Sequence, residues 1–238
     1  MIVISYGLLK SGSTLAFEMT KAVLELNGNQ QRRLPDGLVT EGQRVNFVRD
    51  LRDEDLERLV DATDGTTIAV KTHGTPELLS PGLVRSMLET GSLKIHVVIR
   101  DPRDIVVSMI DHSVRSRRNG SGAFSEIRSV DDAIARLAVQ LDRMRRWGAL
   151  SSLKLRYEEF AFDPVAGPSA ISGDLGMPAD PGAVWARAQA SFTQRNVAQP
   201  ERYRRELWPS EVERVERAFP LLLELVSVND LGWFGSPA

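Results

Sequence analysis

A glycine-containing loop that carries a lysine is the clearest candidate for chemistry in this sequence. Residues 7–14 (GLLKSGST) lie between an apolar run at 2–6 and an amphipathic stretch that starts at Leu15. The pattern predicts a strand, a loop and a helix. Backbone amides of such a loop converge on one point, and the helix dipole adds positive potential there. The segment therefore predicts a site for a phosphate or sulfate group.

The lysine of this loop does not stand where nucleotide kinases have theirs. In the pattern GxxxxGK[ST] the lysine precedes the last hydroxyl residue. Ser13 takes that position here, and Lys10 lies three residues earlier. The displaced lysine favours a chemistry related to ATP hydrolysis but different from it. Taken alone, the motif leaves open a simple turn that only caps the helix.

Three further polar residues follow predicted strands. His73 comes after the second strand, Arg100 ends the third, and Tyr157 ends the fourth. The carboxyl ends of parallel strands meet at one edge of an open α/β sheet, where ligands bind. Ser108 lies eight residues after Arg100, on the following helix. The Arg100 guanidinium and the Ser108 hydroxyl are suitably spaced to clamp a second phosphate.

Alternating strands and helices must position these groups. Apolar runs predict strands at 2–6, 66–71, 94–99 and 153–157, and apolar residues at helical spacing predict helices at 15–26, 102–117, 129–149 and 210–226. Residues 163–182 predict an irregular connection with a short helix. The pattern indicates one α/β domain over 1–238, a P-loop-like three-layer sandwich whose central parallel sheet is flanked by helices.

Composition excludes several classes of protein. The 238 residues include 30 Lys and Arg against 32 Asp and Glu, whereas a general nucleic-acid binder carries a basic excess. The absence of cysteine excludes a disulfide framework, thiolate zinc and a cysteine nucleophile. The three histidines lack metal-site spacing, and no apolar run reaches the ~20 residues that span a bilayer. We expect a cytoplasmic protein without nucleic-acid, membrane or metal partners; the oligomeric state is left open.

In four motifs the chain resembles the cytosolic sulfotransferase family in its bacterial-like form. Residues 10–14 match the family's loop, 71–73 its Lys-Thr-His segment, 100–108 its Arg-x-Pro-x-Asp-x-x-x-Ser signature and 157–159 its Tyr-Glu-Asp/Glu segment. The four occur in the family's order and after the expected strands.

The resemblance is incomplete in two places. Leu9 and Leu15 replace the proline and the tryptophan that flank the family's loop. The family closes over its nucleotide with an Arg-Lys-Gly loop and an aromatic residue, and this chain instead has Arg195 and then Tyr-Arg-Arg at 203–205.

The resemblance implies transfer of a sulfuryl group from 3′-phosphoadenosine 5′-phosphosulfate (PAPS) to a hydroxyl or amine of a small-molecule acceptor, without a metal. It gives Lys10 the role of stabilising the leaving phosphate, His73 that of general base, and Lys71 that of holding the sulfuryl oxygens. The residues that it implies for donor binding are Lys10, Ser11, Gly12, Ser13, Thr14, Arg100, Ser108, Tyr157 and Arg204.

Two other functions stay open. An ATP-dependent P-loop kinase would need a lysine at position 13 and a strand-end aspartate for magnesium, and the sequence has Ser13 and Arg100 there. A non-catalytic nucleotide-binding module would tolerate loss of Lys10 or His73, yet both are present.

The acceptor itself is not encoded in any recognisable motif. We expect residues 29–65, 115–129 and 163–182 to form its pocket, and whether Asp111 or His112 contacts the acceptor is open.

Overall fold

A parallel sheet lies at the centre of the computed structural model, which describes residues 1–34, 37–40, 46–120, 122, 124–191 and 199–227. Its strands are β1 Ile2–Gly7, β2 Ile68–Thr72, β3 Leu93–Ile99 and β4 Leu153–Arg156. They are ordered β2-β1-β3-β4, and the three pairings are parallel. Every residue of β1 and β2 is buried, as expected for strands covered on both faces.

Helices cover both faces of this sheet. They are α1 Ser13–Leu26, α2 Asp53–Thr63, α3 Pro81–Glu89, α4 Pro102–Arg118, α5 Val130–Leu150, α6 Tyr157–Phe160, α7 Ala166–Leu175, α8 Pro181–Ser191, α9 Tyr203–Glu206, α10 Pro209–Ala218 and α11 Pro220–Ser227. One apolar cluster joins a sheet face to α1, α6, α7 and α8, and the other joins the opposite face to α2–α5, α10 and α11. The predicted three-layer α/β fold is therefore confirmed.

The register of the sheet places the loop after β1 between two other strand ends. Tyr6 is opposite Thr72 of β2 and Val97 of β3. Because all strands run in one direction, the segments that leave β1, β2 and β3 emerge at the same edge. The Leu9 amide donates to Oε1 of Gln140 on α5 at 3.0 Å, which fixes the loop against that helix.

Several predicted boundaries were wrong. β2 begins at Ile68 and includes Thr72, and β4 ends at Arg156, so Tyr157 starts the short helix α6 instead of ending a strand. The single helix predicted at 210–226 is divided into two helices, α10 and α11. Pro220 separates them because it lacks an amide hydrogen and disfavours the helical conformation at Phe219 before it. Phe219 accordingly has φ −132° and ψ 49°.

The predicted connection at 163–182 contains the ten-residue helix α7 and the start of α8. Among the helices of the described residues, none has the length and apolar character that crossing a membrane requires.

Candidate active site

The loop between β1 and α1 is a tight turn held together by its own backbone. Lys10 and Gly12 have left-handed backbone conformations, with φ of 66° and 86°. The amide and the hydroxyl of Ser11 both donate to the Leu8 carbonyl, at 3.1 and 2.7 Å. Ser11 therefore closes the turn, with its polar groups directed into the loop.

Helix α1 begins directly after this turn with its first amides available to an anion. No side chain caps the helix at Gly12, and its first turn contains no acidic residue. The Leu15 and Ala16 amides donate back to the Gly12 carbonyl at 2.9 and 3.2 Å. The amides at the start of a helix carry partial positive charge and form a ready anion site.

Glycine is required at position 12 for two independent reasons. The φ of 86° is in the region that side chains disfavour, and a Cβ there would lie 2.4 Å from Cδ2 of Tyr157. We expect Gly12→Ala to lower the free energy of unfolding by more than the about 1–2 kcal/mol of left-handed strain alone. Urea denaturation measures this.

The matched control is Gly28→Ala. Gly28 has a similar φ of 80°, and a Cβ there would meet nothing within 4 Å. This variant therefore carries the strain without the clash. Equal losses in the two variants would contradict the close approach of Tyr157 to the loop.

Lys71 joins β2 to the first turn of α1. Its Nζ donates to Oγ1 of Thr14 at 2.7 Å, and the residue is 7% exposed. Burial lowers the pKa of Lys71 to about 8; Glu18 partly offsets this, and the positive charge of Lys10 adds to it. A buried, incompletely neutralised ammonium favours binding of an anion beside it.

The Lys10 ammonium is in a similar state. Its Nζ lies 3.3 Å from Nδ1 of His112 on α4. Burial, together with the charges of Arg115 and Arg100, lowers the pKa of Lys10 to about 8, and Asp111 opposes this shift. Two lysines thus bring under-neutralised positive charge to one loop.

The loop itself holds the His73 ring in one tautomer. Its Nδ1 lies 2.7 Å from the Gly7 carbonyl, which can only accept, so Nδ1 carries the proton and Nε2 of the neutral ring is an acceptor. Burial, aided by Lys71, lowers the pKa of His73 to about 3. The imidazole is therefore neutral at physiological pH, with Nε2 unprotonated.

Neighbouring aromatic residues position the segment that carries His73. The Phe47 ring centroid lies 5.6 Å from that of His73. Nε1 of Trp147 on α5 donates to the Gly74 carbonyl at 2.9 Å, and the Trp147 ring stacks on Tyr6 with centroids 5.8 Å apart.

Arg100 is buried behind the loop with part of its hydrogen-bonding capacity unused. It is 4% exposed; it donates to the Lys10 carbonyl at 3.1 Å and lies 3.6 Å from an Asp104 oxygen. Its guanidinium carbon is 4.1 Å from the ring centroid of Tyr157. Nε is buried without a hydrogen-bond partner among the described residues. A buried guanidinium group with an unused donor is suited to bind an anion.

Asp104 connects Arg100 to a distant segment, a role that the sequence analysis missed. Its carboxylate accepts the Glu201 amide at 2.8 Å and the Tyr203 amide at 3.1 Å. Residues 201–203 therefore dock on α4 next to Arg100. Asp104 belongs to the Arg-x-Pro-x-Asp signature, but its partners lie about a hundred residues away, so spacing alone gave no signal.

Two arginines of the carboxyl-terminal segment differ sharply in environment. Arg202 is 4% exposed and donates to Asp111 at 2.5 Å and to Glu206 at 2.6 Å. Its Nη1 is buried without a partner among the described residues. Arg204 has an exposed side chain that pairs with Glu201 at 2.9 Å. Arg195 lies outside the described residues.

The structure thus brings most predicted residues to one edge of the sheet. Lys10, Gly12, Thr14, Lys71, His73, Arg100 and Tyr157 are joined by the contacts above. Ser13 is buried at the first position of α1, and Ser108 is buried on α4 after Arg100. Within the described ranges, no group of three or more His, Cys, Asp or Glu side chains could hold a metal ion.

Among solved structures, the chain is similar to retinol dehydratase in complex with androsterone and the inactive cofactor PAP, with a TM-score of 0.58 and 15% identity over 96% of this chain and 82% of that one. Retinol dehydratase in a complex with retinol and PAP gives a TM-score of 0.55 and 14% identity over 96% and 83%. A sulfotransferase from Alicyclobacillus acidocaldarius gives a TM-score of 0.45 and 18% identity over 97% of both chains.

No family model and no curated protein matches the sequence. The likeness to retinol dehydratase therefore confirms, at the level of the fold, the resemblance that the four motifs indicate.

Proposed function

We propose that the protein is a sulfotransferase that moves a sulfuryl group from PAPS to a hydroxyl or amine of a small-molecule acceptor. The observation that carries this proposal is the convergence of Lys10, Lys71 and His73 on the loop between β1 and α1. Lys71 binds Thr14 at that helix start, and His73 binds Gly7 at the other end of the same loop.

The described residues fit a donor with two anionic groups. The amides at the start of α1, with the Ser13 and Thr14 hydroxyls, would hold the 5′-phosphosulfate. Arg100, whose buried Nε has no partner among the described residues, and Ser108 would bind the 3′-phosphate. We assign Tyr157 a supporting role because its ring packs against the Arg100 guanidinium.

Ser11 takes part in this scheme through the shape of the loop. Its amide and hydroxyl already bind the Leu8 carbonyl, so a direct bond to the donor would require one of these contacts to break.

The chemistry follows from the charges and the tautomer at the site. PAPS supplies an activated sulfuryl group whose bond to a phosphate oxygen breaks during transfer. The Lys10 ammonium would stabilise the negative charge that develops on that phosphate. Lys71 would bind the sulfuryl oxygens. The acceptor oxygen or nitrogen forms the new bond to sulfur, and Nε2 of His73 takes its proton.

Arg202 is the better candidate than Arg204 for a cation that closes over the nucleotide. Arg202 is buried. Burial raises the pKa of Tyr157, and the positive charges of Arg100 and Arg202 partly oppose that rise. We expect Arg202→Gln to weaken binding of adenosine 3′,5′-bisphosphate (PAP) by about tenfold or more, since a charge-assisted hydrogen bond is worth about 1.5–3 kcal/mol. Isothermal calorimetry measures this affinity.

Arg204→Gln is the matched variant, two residues away on the surface. We expect it to bind PAP like the wild type, because exposed ion pairs contribute little. If Arg204→Gln weakens PAP binding and Arg202→Gln does not, the assignment of the two arginines is reversed.

Turnover tests the proposed activity directly. The protein is incubated with PAPS, or in parallel with ATP and magnesium, together with one class of acceptor at a time: phenols, aliphatic alcohols, sugars or amines. PAP, sulfated products and the remaining PAPS and ATP are measured by mass spectrometry. We expect PAP to form together with an acceptor that has gained one SO₃ group. Consumption of ATP instead, with PAPS left intact, would contradict the proposal.

A further inference from the structure

The Lys10 ammonium donates a hydrogen bond that the proposed reaction does not require. Nζ lies 3.3 Å from Nδ1 of His112, which belongs to α4. An ammonium group has no lone pair, so Nδ1 must accept and the neutral His112 ring carries its proton on Nε2. The contact joins the loop between β1 and α1 to a residue of α4 that lies 102 positions from Lys10 in the sequence.

His112 also contacts an aromatic ring. The Phe124 ring packs edge-on against it with centroids 4.9 Å apart, and Lys10 Nζ lies 6.0 Å from the Phe124 centroid. Phe124 therefore packs against both partners. This limits the positions that the imidazole and the ammonium can take.

The charged groups around the contact make it more than a packing detail. Asp111 on α4 attracts Lys10, and Arg115 on the same helix repels it, as does Arg100 beyond β3. Asp111 is engaged by the Arg202 guanidinium, which comes from the carboxyl-terminal segment. Without the His112 acceptor, the flexible Lys10 side chain would lose a contact that fixes its ammonium among these charges.

We propose that His112 is a positioning residue for Lys10, and that its neutral Nδ1 holds the ammonium where the leaving phosphate needs it. This inference rests on the proposed sulfuryl transfer. Asparagine can replace this function because its side-chain oxygen can occupy the place of Nδ1 and accept the same bond. Leucine fills similar space without an acceptor.

Kinetics separate a positioning role from a structural one. We expect His112→Leu to lower kcat by about 10- to 100-fold, the usual cost of a misplaced catalytic group, while PAP affinity falls far less. His112→Asn should keep kcat within about threefold of the wild type. The control is Arg145→Gln, an exposed residue of α5 outside the segments expected to form the acceptor pocket, which should behave like the wild type.

The pH profile gives a readout that packing would not move. Protonation of Nδ1 turns the acceptor into a cation, so the contact is lost as pH falls through the pKa of His112. That pKa lies below its ordinary value because of burial, with Lys10 and Arg115 adding to the effect. We expect the acid limb of kcat/KM to move to lower pH in His112→Asn, which cannot titrate.

Chemical labelling tests the contact without any donor or turnover. The reactivity of the Lys10 amine toward acetic anhydride is followed against pH by mass spectrometry. Loss of the acceptor destabilises the ammonium, so Lys10 in His112→Leu should be about fivefold more reactive near pH 7, and in His112→Asn it should match the wild type.

The outcomes are distinct. If the wild type does not turn over PAPS but the labelling differs as expected, the proposed function fails while the Lys10–His112 contact stands. If His112→Leu shows the same Lys10 labelling and the same kcat as the wild type, the inference is overturned. Equal losses of kcat in His112→Asn and His112→Leu would overturn it as well, because they would indicate direct chemistry by the imidazole. If His112→Leu does not fold, the pH profile of His112→Asn decides the question. An acid limb of kcat/KM at the same pH as in the wild type would then overturn the inference by itself.

Discussion

Lys10→Met is expected to lower kcat by about 10²–10³ while PAP binding falls by less than about tenfold, because the lost charge acts mainly on the transition state. Methionine keeps the unbranched stem and adds no new strain at the φ of 66°. The substitution therefore removes the positive charge of Lys10 beside the leaving phosphate. Steady-state kinetics with PAPS and calorimetry with PAP measure the two quantities.

Lys94→Met is the control for loss of a lysine. Lys94 lies near the start of β3, at the opposite end of the strand from Arg100, and pairs with Asp174 at 3.7 Å. We expect its kcat to equal that of the wild type. A kcat for Lys10→Met within about threefold of the wild type would remove Lys10 from the mechanism.

His73→Asn should lower kcat by about 10²–10⁴, the usual contribution of a general base. The asparagine side-chain amide can still donate to the Gly7 carbonyl in place of Nδ1, so the loop contact is retained. What disappears is the unprotonated Nε2. The kcat of the two proteins is compared with one acceptor at saturating PAPS.

The choice of acceptor distinguishes a base from a structural residue. An acidic phenol such as p-nitrophenol needs little help to lose its proton, whereas an aliphatic alcohol needs much more. The loss caused by His73→Asn should therefore be smaller with the phenol. An equal loss with both acceptors would show that His73 acts in some other way.

The strands and the phosphate-binding loop could be predicted because their signals are local. β1 is a continuous apolar run that ends in Gly7, and the loop and α1 follow at once. The parallel topology then requires His73 and Arg100 to lie near that loop. The likeness to retinol dehydratase shows the same fold at 14–15% identity, so the sheet and its loops are specified by pattern more than by particular residues.

The rest depends on contacts between residues that are far apart in the chain. Nothing near Asp104 indicates that it will bind the amides of residues 201–203, or that Arg202 will be buried and Arg204 exposed. The pKa of His73 is likewise lowered by burial and by Lys71. Neither the direction nor the size of this shift follows from the residue type. These features follow from the folded arrangement of β2, α4 and the carboxyl-terminal segment.

A thermal-shift titration of the wild-type protein with PAP, in parallel with ATP and magnesium, tests the central claim most directly. At PAP about 100-fold above its Kd, binding contributes roughly 2.7 kcal/mol. For a chain of this size that raises Tm by roughly 5–10 °C. We expect this rise with PAP and little or none with ATP and magnesium, since Arg100 and Ser108 are assigned to a 3′-phosphate that ATP lacks. A rise with ATP and magnesium but none with PAP would contradict the sulfotransferase assignment and favour a kinase.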